Sequence, residues 1–148
     1  MIRYIVISYA LIVASPVMGD TMIMARTGLT FPEAMAELQA QIRAKGYTVS
    51  RVQRVDIGLT KSGYKTDKYR VVFYGKPEEI RMLSQRYPDL SAYLPLKISI
   101  FAEGTDTIMV TANPQHLQRA GDSEFAKVIY RWEKDLLAIF AKMQDTSE

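Results

Sequence analysis

The chain has 148 residues, 48% of them hydrophobic and 24% charged, with a formal net charge of +3. Length and composition suit one folded domain and exclude a disordered or low-complexity chain, and so small a charge excess is weak evidence for an anionic partner. With no cysteine and a single histidine, disulfides, thiol nucleophiles, iron–sulfur ligation and most multi-histidine metal sites are excluded.

Residues 1–19 read MIRYIVISYALIVASPVMG. Arg3 is the only charge, an apolar run follows, Pro16 breaks it, and small or tolerated residues lead up to Gly19. That order is the layout of a secretory signal, with cleavage expected after Gly19. An uncleaved anchor and a buried first strand are the two alternatives. The expected mature chain, residues 20–148, is a single α+β domain located in the periplasm or secreted. A membrane contact is expected only if the amino terminus is retained as an anchor.

Residues 22–29 form a modest strand candidate. Thr30, followed three residues later by Glu33, gives a capping box. Phe31, Met35, Leu38 and Ile42 then lay one apolar stripe along a helix that Gly46 ends. Residues 47–55 read as a strand whose valines break the period of two, which predicts a bulge or register change. Residues 56–67 are polar and glycine-bearing, and a loop or wide turn is expected. Residues 68–74, KYRVVFY, form a strong strand.

Pro77 opens a helix to about residue 87, and residues 88–93 make a turn or short helical segment. Residues 94–102 form a strand, residues 103–106 a hairpin turn, and residues 107–112 the return strand. Asn113-Pro114 caps a short helix. Residues 123–143 place Phe125, Val128, Ile129, Trp132, Leu136, Ile139, Phe140 and Met143 at helical spacing. The order β-α-β-β-α-β-β-α-α predicts a mixed, mainly antiparallel sheet with helices on one or both faces.

The segment from Tyr69 to Gln118 resembles a widespread bacterial family called domain of unknown function 302. Its pattern has counterparts here in Tyr74-Gly75-Lys76-Pro77, Leu94-Pro95-Leu96 and Asn113-Pro114, with an earlier helix ending in Lys45-Gly46-Tyr47-Thr48-Val49. The resemblance covers roughly residues 23–120 and implies a compact α+β domain and a homodimer. It implies no reaction. The chain departs from the family at Val55-Asp56-Ile57, which lacks the histidine many members carry, and at Lys76, where asparagine is usual. Its final helix is also longer.

Candidate ligand-binding residues are few. His116 could act as a base or ligand or simply sit at the surface, since no second histidine supports it. Asp56 matches the family aspartate and could orient a ligand or cap its own turn. Tyr64 and Lys65 belong to a basic, aromatic stretch with Lys61, Lys68, Tyr69 and Arg70. If that stretch binds anything, an anionic small molecule or acidic partner suits it better than nucleic acid, given the export signal. Lys76 joins them as the family-motif position.

Glu78 and Glu79 are expected to serve a helix dipole, Trp132 to anchor the core or a dimer, and the scattered methionines to fill the core. No phosphate loop, nucleophile elbow or metal-ligand spacing occurs, so no catalytic residue, metal or cofactor is expected.

The functional expectation is an exported, non-catalytic binding or interaction module, dimeric, with an anionic small molecule or a protein as partner. Two alternatives stand beside it. One is an enzyme whose site assembles across a dimer from Asp56, Tyr64, Lys65 and His116. The other is an accessory subunit of a membrane or electron-transfer complex.

Overall fold

The computed structural model describes residues 21–146, so the expected signal segment lies outside the described residues. Five strands form one antiparallel sheet: β1 (Met22–Thr27), β2 (Thr48–Arg54), β3 (Tyr69–Gly75), β4 (Leu96–Glu103) and β5 (Asp106–Ala112). Their order across the sheet is β1-β5-β4-β3-β2. The helices are α1 (Phe31–Ala44), α2 (Val55–Lys61), α3 (Pro77–Arg86) and α4 (Ser123–Asp145), with 3₁₀ turns at Pro88–Ala92 and Pro114–Leu117. The molecule is an α+β fold, as its pattern of elements predicts.

Local chemistry sets the boundaries. The Thr30 backbone amide donates to the Glu33 carboxylate at 3.0 Å, closing the capping box of α1. Gly46, at φ +82°, takes the left-handed conformation that ends α1 and turns the chain into β2. The β2–β3 ladder shifts register between Val49 and Arg51, which explains the broken valine alternation. Glu103 pairs with Asp106 around a two-residue turn to join β4 to β5.

One expectation fails at residues 56–67. Val55–Lys61 is helix α2 rather than loop. No side chain of α2 is buried, so it shows no apolar stripe. It is held from outside, by Asp56 of its first turn pairing with Arg70 of β3. The element order therefore gains a helix between the second and third strands.

The core lies on one face of the sheet. Ala25, Val72, Tyr74, Ile98, Ile100 and Met109 meet Leu38 and Ile42 of α1 and Ile129, Trp132, Leu136, Ile139 and Phe140 of α4 in one buried cluster. Leu83 of α3 and Leu90 of the following turn join it. Alternation along the strands sends Met22, Met24, Val71, Phe73, Phe101, Ile108 and Val110 to the opposite face. Of these Ile108 is buried, yet it stands outside the main cluster. Met22 and Met24 are 50% and 65% exposed. Among the described residues no helix is long and apolar enough to cross a membrane.

Candidate functional site

A concavity sits where β4 begins and β5 ends. After Ala112 the Asn113 amide donates to the Thr21 carbonyl at 3.0 Å, tying this corner to the start of β1. The Asn113 side-chain oxygen accepts from the Gln115 amide at 3.0 Å, and Pro114 supplies the first position of the 3₁₀ turn. The Gln115 side chain donates to Glu133 of α4 at 2.5 Å, which fixes the turn on the helix. His116 and Leu117 are thereby held opposite Tyr93, Leu96 and Lys97, around a cavity of about 100 Å³ that Thr111, Ala112, Asn113 and Pro114 complete.

The cavity wall is apolar at Leu96, Ala112, Pro114 and Leu117. The Thr111 hydroxyl donates to the Lys97 carbonyl at 2.8 Å and is already satisfied. The side chains of Lys97 and His116 have no hydrogen-bond or ion-pair partner among the described residues. A shallower hollow on the uncovered sheet face, lined by Met22, Tyr69, Ser99, Phe101 and Val110, adjoins this cavity through Lys97, Thr111 and Ala112.

The other residues singled out in the sequence lie elsewhere. Asp56 pairs with Arg70, their side chains 17% and 14% exposed. The Arg70 hydrogen bond holds the Asp56 carboxyl below its ordinary range. The Arg70 guanidinium also stands 5.6 Å from the centre of the Phe31 ring. Asp56 borders a hollow with Ile57, Thr60, Lys61 and Thr66, which Tyr64 and Lys65 do not line. Tyr64 is 65% exposed.

Lys76 places its ammonium 5.3 Å from the centre of the Tyr47 ring. Arg70 stands opposite Ile100 and Tyr74 opposite Leu96, so Asp56 and His116 lie toward opposite ends of β3 and β4. Within one chain Asp56, Tyr64, Lys65, Lys76 and His116 do not converge.

A polar cluster went unread in the sequence. Arg131 of α4 forms an ion pair with Glu79 of α3 and donates to the Tyr47 hydroxyl at 3.1 Å. The Tyr47 hydroxyl in turn donates to Asp135 at 2.7 Å, and the Trp132 indole donates to Glu79 at 2.9 Å. Glu79 thus serves a tertiary clamp rather than only its own helix dipole. Burial, reinforced by Asp135, pushes the Tyr47 hydroxyl far up and keeps it neutral. Each group is answered by another, so the cluster fastens α4 to α3 and to the turn between α1 and β2. Trp132 is 2% exposed and belongs to the core. Among the described residues no three His, Asp or Glu side chains gather to hold a metal ion.

The family model described as a domain of unknown function, DUF302, matches residues 23–143. The chain belongs to this family. A crystal structure of an uncharacterized conserved DUF302 protein from Bacillus stearothermophilus shares the fold, with a TM-score of 0.74 at 16% identity, covering 84% of this chain and 99% of that one. No curated protein matches the chain.

Two of the motifs that mark the DUF302 resemblance meet at the cavity: Leu96 ends one, and Asn113-Pro114 is the other. The glycine of a third, Gly75, allows close approach of α3. A Cβ there would overlap the Ile80 side chain.

Proposed function

We propose that the chain is an exported, non-catalytic binding module that works as a homodimer through the uncovered face of its sheet. The observation that carries the reading is the row of outward-facing Met22, Met24, Val71, Phe73, Phe101 and Val110, an apolar surface that no helix covers among the described residues. Surfaces of that kind mark contact sites. A second copy would offer the same residues, so the contact can be self-complementary about a two-fold axis. The family resemblance points to the same assembly.

Export rests on residues 1–19. The sheet face is the better candidate for function than a catalytic centre, because Lys97 and His116, which line the cavity beside β4 and β5, lack the oriented acid partner of a general base among the described residues. The Asp56–Arg70 and Tyr47–Asp135 pairs are spent on holding helices.

Light scattering on the eluting mature protein, residues 20–148, tests the assembly. A dimer is expected for the native sequence and a monomer for the double variant Met24→Asp, Val110→Asp, with both keeping the same circular dichroism. A native monomer would overturn the dimer. Intact mass of protein isolated from its source tests export, since cleavage after Gly19 leaves Asp20 first.

A further inference from the structure

We propose that two copies stack their open sheet faces with the strands running in opposite directions, so that Lys97 of each copy meets Glu103 of the other. The inference rests on the homodimer reading and deepens it, because it names the axis and the residues that pair across it.

The open face is graded in charge along its strands. At one end Arg51, Phe73 and Lys97 stand side by side on β2, β3 and β4. Both cations are exposed and have no acidic partner among the described residues. At the other end Glu103 of β4 stands opposite Asp106 of β5. Arg26 pairs with both, at 2.5 and 2.9 Å. One guanidinium against two carboxylates leaves that end acidic, and the two carboxylate side chains are still 57% and 36% exposed. Two less charged rows lie between the ends. Met24, Val110, Ser99 and Val71 make one, and Ile108, Phe101 and Tyr69 belong to the next.

A two-fold axis that lays this face on its own copy must lie in the plane between the two sheets. Aligned sheets keep their strands within about 30° of each other, so the axis runs either along the strands or across them. An axis along the strands sets the cationic row of one copy on the cationic row of the other. Because β4 is the central strand, Lys97 would then face Lys97. An axis across the strands sets each basic end on an acidic end. Lys97 and Glu103 are equally far along β4 from Ile100, so the two exchange places about that level. Ser99 then faces Phe101 of the other copy, and Val110 faces Ile108. Packed sheets stand about 10 Å apart, a gap that a lysine and a glutamate side chain close together. Like charges set opposite one another oppose association strongly, whereas opposite charges fix the register.

The chain has no cysteine, so an introduced thiol reports on its own contacts alone. The test treats the mature Lys97→Cys and Glu103→Cys proteins with a short bis-maleimide, each by itself and as an equal mixture. Cross-linked dimer is expected in the mixture and in neither protein by itself, because like positions lie about 20 Å apart along the strands. The mixed dimer also keeps one native Lys97–Glu103 contact. As a second measurement, light scattering over a dilution series should show Lys97→Glu dimerising at least about tenfold more weakly than the native chain, at unchanged circular dichroism.

Cross-linking of Lys97→Cys to itself would place the axis along the strands and overturn the proposal. So would a dimeric mixture that never cross-links, or a Lys97→Glu dimer as tight as the native one. Each of these leaves the homodimer standing. A native monomer sinks the homodimer and this pairing together.

Discussion

The two faces of the sheet are built from the same kinds of residue and meet opposite fates. Val72, Ile98, Ile100 and Met109 lie under α1 and α4 and are fully buried. Their sequence neighbours Val71, Val110 and Phe101 turn outward and remain partly open. Strands apolar on both faces usually belong to sheets covered on both sides. Here the described residues supply cover for one side only. Apolar character along β3 and β5 thus encodes two surfaces, and the described helices settle only one of them.

The largest test of this contrast is a matched pair of truncations. Ile98→Ala, on the covered face, should cost about 2–4 kcal/mol through lost burial and a residual cavity. Met24→Ala, on the open face, should cost no more than about 0.5 kcal/mol in the monomer. Urea unfolding of both checks the difference. Equal losses would mean that the outer face is covered after all.

Next in size is the clamp that holds α4 over the sheet. Glu79→Ala leaves the Arg131 guanidinium and the Trp132 indole without their acceptor, for an expected loss of about 2 kcal/mol. Trp132 fluorescence should change with it. A variant as stable as the parent would show that the covered face needs no polar fastening.

The smallest effect concerns Asp56, which holds α2 to β3 away from the main core. Its folded-state pKa is lowered by Arg70, so the pair contributes above the unfolded carboxyl value of about 3.9 and fades as pH falls through the folded value. Asp56→Asn should lower stability by about 1 kcal/mol near neutrality and by almost nothing at strongly acid pH. Melting temperatures measured across that range should converge on the acid side. A constant gap would mean that the ion pair is not the cause.

Much of the covered face could be read from residue spacing. The stripe Phe125, Ile129, Trp132, Leu136, Ile139, Phe140 and Met143 is buried along its whole length, because a helix on a sheet must repeat its apolar contacts at helical period. Thr30 and Glu33 marked the start of α1 for an equally local reason. Helix α2 was not legible. Gly58 and the β-branched Val55 and Ile57 argue against a helix, and what holds it, Arg70, arrives from another strand.

The cavity was hidden for the same reason. His116 stood out as the lone histidine, but Lys97 did not, since only the β4–β5 hairpin and the Asn113 cap bring the two to one cavity. Strand order was equally opaque, because nothing near β1 announces that its partner is β5.

That last pairing has a kinetic consequence. Met22 must find Ala112, and Thr27 must find Thr107, so the first of the described strands waits for the last. The β4–β5 hairpin and α1 can form from near neighbours within microseconds, whereas closing the sheet at β1 requires almost the whole chain. A chain synthesised amino end first would therefore stay open at β1 until β5 had followed.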